Sequence, residues 1–414
     1  MDRKLKVPEN HSPPSVGPNG GALSGLKVLE LAHVIAGPLA GTLLADLGAD
    51  VVHIEAPGSG DTARLMGPKR DGVPLWWKVG GRNKRSVTLD LRVSEGRDVA
   101  RRLVQWADVV ITNFRVSTLR KWGLAWEDCH ALKDSLIYCQ ISGYGIGSSL
   151  EDAPGFGKVG EARSGVVHLT GFPDGPPIYT GFSHADSVTA LMAAFAISSA
   201  LYRRVTDDEF AGEWIDLALS ESLFRLIEWQ VIVYDQLGIV PERAGNRLSV
   251  APGAVINTYC TRDGEWLTVT SATLRSVQNI AVLLGLRRDD FATSEAQLSH
   301  ADMLDAKLGE WIGSRSTEEC LRAMSEVEVV ASRVLSVKDI ADDPVYAERD
   351  SVIVLKDSDL GAVRMQGVIP KMRVNPGSVW RTGASLGADN ELVFLEWLGM
   401  SRSELQLLVD ADVV

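Results

Sequence analysis

A strand, a helix and a second strand follow one another in immediate succession near the start of this chain. Leu26–Leu31 (LKVLEL) is a short apolar strand, His33–Pro38 turns, Leu39–Leu47 has helical character and Gly48 closes it, and Asp50–Ile54 (DVVHI) is apolar again. Such a βαβ unit predicts a parallel sheet. Further strands are expected at Ser86–Leu91, Asp108–Thr112, Leu136–Ser142 and Glu213–Leu219, with helices at Ser94–Trp106 and Ser220–Leu237. The fold class is therefore α/β. With 414 residues, the chain exceeds one ordinary core, and two domains are expected. From about Pro241 the texture changes to a hairpin around Arg262-Asp263-Gly264 and helices near Thr273–Leu284, Asp302–Gly313 and Thr317–Val327, a smaller α+β domain.

Composition removes several functions. The formal net charge of −12 disfavours nucleic acid and anionic membranes as partners, so a polyanionic ligand needs a local basic patch. No run is read as long and apolar enough to span a bilayer. Residues 1–22 lack the apolar segment of a secretory signal and are expected to form a loose arm. Cys129, Cys139, Cys260 and Cys320 are scattered without metal-ligand spacing, which argues against a zinc site or disulfide framework and for a reducing, cytoplasmic setting.

Several residues are candidates for chemistry. Glu55, ending the second strand, stands where a dinucleotide site places an acid for the ribose, but the turn HVIAGPLAG lacks the G-x-G-x-x-G fingerprint. Arg82, Lys84 and Arg85 form a cluster that is either a solvated face or a phosphate site. Asn113–Arg115 lies at the carboxyl end of a strand, where ligands of open parallel sheets collect, and Arg115 and Lys121 have the charge to hold phosphate or simply to face water. Pro154–Asp186 is expected to be loop-rich, its repeated glycines either letting backbone approach a bulky ligand closely or marking a plain crossover loop. Asp186 then opens a long helical run, GFSHADSVTALMAAFAISSALYRR, either as its N-cap or as a carboxylate held in a glycine-lined pocket for use as nucleophile or base.

The order GLKVLELAHVIAGPLAGTLLADLGADVVHIEAPGSGD, RNKRSVTLDLR, ADVVITNFR, TGFPDGPP and HADSVTAL resembles the family III CoA-transferases, a group that also holds the α-methylacyl-CoA racemases. The resemblance covers nearly the whole chain after residue 23. It implies a Rossmann-like large domain with a parallel sheet built from both ends of the chain, with boundaries near 23–220 and 336–414. A linker helix over 221–240 and a small α+β domain over 241–335 complete the division. It also implies an intertwined homodimer, coenzyme A as substrate with no metal, and acyl-CoA and small carboxylic acids as ligands. The family's catalytic aspartate falls on Asp186. Its CoA contacts fall on Ile35 and Ala36, on Leu89, Asp90, Leu91 and Arg92, on Asn113, Phe114 and Arg115, on Lys121, and on the Ala153–Phe156 stretch with Phe156 at its end.

Two departures narrow the expected activity. Racemases of the group carry a histidine about thirty residues before the aspartate, where this chain has Phe156, a side chain unable to move a proton. Formyl-CoA transferases carry a glycine run in the small domain, where Glu242–Ala254 has only Gly245 and Gly253. CoA transfer between carboxylic acids is the leading expectation, with an acid other than oxalate. An α-carbon isomerase of the same group and a catalytically silent CoA-binding protein are the rivals. Arg163, Arg243 and Arg247 are candidates to hold a second carboxylate, and His184 is a candidate to tune Asp186.

Overall fold

The computed structural model describes residues 20–248 and 250–414. The arm expected over 1–22 falls, apart from its last three residues, outside the described residues.

The chain divides into two compact units, 1–166 with 180–228 and 344–414, and 167–179 with 229–343. The larger unit is built on six parallel strands: β1 (Lys27–Leu31), β2 (Asp50–Glu55), β3 (Lys84–Thr88), β4 (Val109–Thr112), β5 (Ile137–Ser142) and β6 (Glu213–Ala218). Their order across the sheet is β3-β2-β1-β4-β5-β6. That is the doubly wound order of dinucleotide folds, and it reverses between β1 and β4. Alternating residues of each strand feed two separate cores. Leu29, Leu31, Val52, Val110 and Tyr138 pack on one face, and Val28, Val51, Val109, Ile111 and Ile137 pack on the other. Burial on both faces explains why apolar residues predominate along β1, β2, β4 and β5.

Helices α1 (Ala36–Asp46) and α2 (Ser94–Trp106) lie on opposite faces, and α1 shares its core with the long helix His184–Thr206. The return of the chain seals the sheet edge at β3. Asp389 accepts the Ser86 amide at 2.9 Å and Asn390 accepts that of Thr88 at 2.9 Å, so the edge strand's donors are satisfied by side chains.

The basic cluster Arg82, Lys84 and Arg85, at the start of β3, is structural, which overturns its readings as a solvated face and as a phosphate site. Arg82 pairs with Asp46 and donates to the Gln366 carbonyl at 2.6 Å. Lys84 reaches Glu30 at 2.9 Å, and Arg85 lies over the Trp380 ring at 4.7 Å while facing Asp389. Their charge is consumed internally.

Beneath α1 the sheet carries a buried ionic chain. His53 Nδ1 pairs with Glu30, and His53 Nε2 faces Asp61 at 3.4 Å, with each of the three side chains at most 2 % exposed. Burial works against a charged imidazole, but Glu30 and the bond to Asp61 outweigh it and raise the His53 pKa from 6.5 to about 9. The folded value lies above the unfolded one, so this stabilisation is complete below about pH 6.5 and is lost as pH rises through 9. Urea titrations should show stability falling over that window by on the order of 2 kcal/mol. His53→Gln should flatten the decline, and an unchanged slope would contradict the charged state.

The smaller unit holds a three-stranded antiparallel sheet of Val255–Cys260, Trp266–Ser271 and Ala331–Arg333, with Trp266–Ser271 central. The expected hairpin turns at Gly264, whose φ is +83°. Leu267 and Val269 pack against Leu304, Leu308 and Ile312 of the helix Ser294–Gly313.

Three expectations are corrected. The Pro154–Asp186 segment contains a helix, Gly157–Arg163, because Gly157 and Gly160 let it approach its neighbours and are not merely turn residues. The single helix expected over Ser220–Leu237 is broken after Phe224, a 3-10 turn intervening before Gln230–Leu237. Third, the 23-residue helix His184–Thr206 is long and apolar enough to cross a membrane by length and composition. Its Ala185, Ala190, Ala193, Ile197 and Ala200 are instead fully or nearly buried against the sheet.

Candidate active site

In a parallel sheet every strand delivers its carboxyl end to one edge. Folds of this strand order bind their ligands where the order reverses, here between the turns that follow β1 and β4. The two turns are fastened to each other. Asn113 accepts the His33 amide at 2.9 Å and donates to the His33 carbonyl at 2.8 Å, and the His33 and Phe114 rings lie 5.0 Å apart. The next residue, Val34, has φ +68°, a left-handed conformation that a β-branched residue adopts only under constraint. Asp61 supplies that constraint by accepting the Val34 amide at 3.0 Å, so the buried His53 chain ends on this turn.

The residues expected to contact CoA distribute along this edge. Ile35 and Ala36 open α1, with Ala36 only 3 % exposed. Leu89, Asp90, Leu91 and Arg92 follow β3. Leu89 and Leu91 are buried in the core, so only their backbone faces outward, and Arg92 is occupied by Asp90 at 2.8 Å. Arg115 is the N-cap of the helix α3 (Val116–Trp122) and Lys121 lies in its last turn; both are exposed and belong to no ion pair among the described residues. Their charge is left for an anion. Phe156 is 70 % exposed.

Helix α4 (Gly157–Arg163) reaches the edge through a crossing of two glycines. A Cβ on Gly155 would stand 2.9 Å from Gly143 Cα, so only glycines allow the 153–157 segment to lie against the end of β5. The crossover helix between β5 and β6, α5 (His184–Thr206), begins at the same edge because it must run back antiparallel to the strands.

Asp186 is the third residue of α5, and Ser183 is the N-cap, which corrects the capping reading of the aspartate. Its carboxylate rests on Gly157. A Cβ at position 157 would fall 2.0 Å from Oδ2 and 2.8 Å from Cγ. Burial, reinforced by the charge of Glu161, raises the Asp186 pKa from 3.8 to about 6, against the opposing pull of its own backbone amide and of Lys158. Glu161 is 1 % exposed; it accepts the His184 amide at 3.1 Å and the Lys158 ammonium at 3.0 Å. Gly157, Lys158 and Glu161 were not anticipated. Their signal was the spacing Gly157, Gly160, Glu161, one face of a helix, inside a stretch whose glycines suggested loop. The influence looked for in His184 comes from Glu161 and Lys158.

Of the three arginines considered for a second carboxylate, Arg247 is held by Asp302 at 2.6 Å and Asp305 at 3.0 Å, and Arg243 donates to the His168 carbonyl. Arg163, on α4, lies 5.4 Å over the Tyr144 ring and forms no ion pair among the described residues.

A half-buried carboxylate of raised basicity, backed by glycine and set at the crevice edge of a doubly wound sheet, is equipped for nucleophilic or basic attack on a bound ester. Comparison with known proteins gives the family. The chain is 39 % identical over 398 residues to the succinyl-CoA–D-citramalate CoA-transferase of Chloroflexus aurantiacus, covering 95 % of this chain and 98 % of that one. It is 33 % identical over 352 residues to the succinate–glutarate CoA-transferase of Agrobacterium fabrum, covering 81 % and 86 %. A crystal structure of a CaiB/BaiF family protein from Brucella suis superposes with a TM-score of 0.79 at 31 % identity, covering 91 % of this chain and all of that one. The sequence profile of CoA-transferase family III matches residues 23–390, and the chain belongs to that family.

Proposed function

We propose that the protein moves coenzyme A from an acyl-CoA to a carboxylic acid by way of covalent adducts on Asp186. The carboxylate attacks the thioester carbonyl, the C–S bond breaks, and the acyl group is left on Asp186 as a mixed anhydride with CoA thiolate beside it. The thiolate then attacks the aspartyl carbonyl of the anhydride and expels the first acid, leaving Asp186 as a CoA thioester. An incoming acid repeats the two exchanges in reverse and leaves as the new CoA ester. Thioester energy is conserved because each step exchanges one acyl bond for another.

The observation that carries this reading is Asp186 on Gly157: a carboxylate whose basicity is raised by burial, placed where the sheet's strand ends converge. The contacts with CoA are assigned to the turn at Ile35 and Ala36, the backbone of Leu89–Arg92, Asn113–Arg115, Lys121 and the segment ending at Phe156. Arg115 and Lys121 offer the charge for phosphate. Binding energy from that remote handle holds the reacting carbons in place. Succinyl-CoA is the donor favoured by the names of the relatives, with a dicarboxylic acid as acceptor and Arg163 as the cation for the second carboxylate.

A homodimer is part of the proposal. Along α5, Leu191, Phe195, Tyr202 and Val205 form an outward stripe, each between 57 % and 81 % exposed, and a second copy of the chain would cover it. The four unpaired cysteines support a reducing, cytoplasmic setting. Exposure to succinyl-CoA followed by hydroxylamine should leave a hydroxamate at Asp186, read by peptide mass spectrometry. Turnover without any trapped adduct would refute the covalent route.

A further inference from the structure

Glu161 is a buried carboxylate that the transfer chemistry does not use directly, and its placement gives it a task. It sits on α4 one turn beyond Gly157, the residue on which the Asp186 carboxylate rests. One of its oxygens accepts the His184 amide of the first turn of α5, and the other accepts Lys158. Lys158 in turn donates to the carbonyls of Thr180 at 3.1 Å and Phe182 at 3.0 Å, in the segment that leads into α5. The pair therefore fastens α4 to the first residue of α5 and to the segment that leads into it, just ahead of Asp186.

We infer that Glu161 is a positioning residue for Asp186, locking the nucleophile's helical turn onto α4 while keeping a fixed negative charge beside it that favours acylation. The chemical reason is simple. A free Asp186 carboxylate is repelled by Glu161, and the repulsion vanishes once Asp186 becomes a neutral anhydride or thioester. Formation of either adduct is thereby made more favourable without any contact between Glu161 and substrate. Lys158 moderates the effect. This inference rests on Asp186 being the nucleophile, but the electrostatic coupling itself can be measured without turnover.

The other groups around Asp186 do not substitute for this pair. His184 shares its turn, with Nδ1 buried and turned away from any hydrogen-bond partner. On the elements packed against α5, Asp46 of α1 is held by Arg82, Asp216 of β6 accepts the Ile146 amide at 3.0 Å, β5 carries no charged side chain, and Glu221 on the helix Leu219–Phe224 is exposed.

The test is an infrared titration of the Asp186 carboxyl, taken as the difference between the wild type and Asp186→Asn, in Glu161→Gln and Lys158→Gln backgrounds. Glu161→Gln keeps the shape and the acceptor for the His184 amide but removes the charge. It should move the Asp186 midpoint down by roughly half a unit to one unit, and lower the fraction of enzyme trapped as hydroxamate about threefold to tenfold. Lys158→Gln, at a side chain that is 47 % exposed and so tolerant of change, should move the midpoint the opposite way. It serves as the deciding arm should Glu161→Gln fail to fold. The acid limb of kcat/KM should follow the same two shifts, which loss of packing alone would not produce. An Asp186 midpoint unmoved by both substitutions overturns the inference. Opposite shifts in an enzyme that never traps an adduct would instead retain the coupling and reject the covalent function.

Discussion

Asp186→Asn should lose CoA transfer by about 10⁴-fold or more in kcat and, at neutral pH, unfold at a higher temperature than the wild type. The first effect follows from chemistry: the amide has the same shape, but it does not attack a thioester or leave as a carboxylate. The second follows from the site's electrostatics. Burial and Glu161 raise the Asp186 pKa from 3.8 to about 6, so the fold favours the protonated form. The stability attached to that proton is complete below about pH 4 and is lost as pH rises through 6. Above pH 6 the wild type carries an ionised group that its surroundings resist, at a cost on the order of 2 kcal/mol, and the neutral amide removes much of it. Melting curves should nearly coincide at pH 4 and separate above pH 6, with the variant higher by roughly 2–4 °C. A variant less stable than the wild type at pH 7.5 would show that the carboxylate is not strained, and retained turnover would show that it is not the nucleophile.

The sign of that difference reflects how this edge of the sheet is built. Val34 in a left-handed conformation, an aspartate pressed onto a glycine and a buried glutamate beside it are each unfavourable locally. They persist because the surroundings hold them: Asp61 and the His53 chain behind Val34, and Lys158 and the α5 amide around Glu161. The sheet supplies the rigidity. Its two cores are filled by alternating residues of the same strands, so its strand ends stay in register with one another.

That division of labour explains what could be read in advance. β1, β2, β4 and β5 were legible because burial on both faces makes them predominantly apolar, and a βαβ unit predicts a parallel sheet. Asp186 was legible as a candidate from its place at the head of a long helix, but capping explains an acid there as well, and it was the family resemblance that singled it out. Its backing was not. Gly157 and Gly160 looked like loop residues, since the same lack of a side chain that frees a turn also lets a helix pack closely, and composition does not tell the two apart. The cluster Arg82, Lys84 and Arg85 misled for a related reason. Charge shows in the sequence, but the carboxylates that neutralise it, Asp46, Glu30 and Asp389, come from distant parts of the chain. Leu89 and Leu91 were placed correctly at a strand end, yet their side chains turn inward and leave only backbone for a ligand.

Gly157→Ala should be the most damaging change that leaves every ionisable group in place. The added methyl would stand 2.0 Å from Asp186 Oδ2, far inside van der Waals contact, so the carboxylate must leave its position. Relief by backbone movement is limited, because Glu161 ties α4 to the first turn of α5 and Gly160 already lies against Leu219. Displacing a nucleophile by about an ångström costs on the order of 10² in rate, and kcat should fall by roughly that factor or more. KM for the CoA ester should change much less than kcat, since of the segments assigned to CoA only the one ending at Phe156 adjoins the substitution. Stability should fall by about 1–3 kcal/mol from overpacking, partly offset by the better helix propensity of alanine. Gly160→Ala provides the contrast. Its methyl would meet Leu219 Cβ at 2.8 Å and not the carboxylate, so it should destabilise the fold to a similar degree while the folded enzyme keeps its kcat. Equal kcat losses in the two variants would mean that packing of α4, and not the seat of the Asp186 carboxylate, governs the reaction.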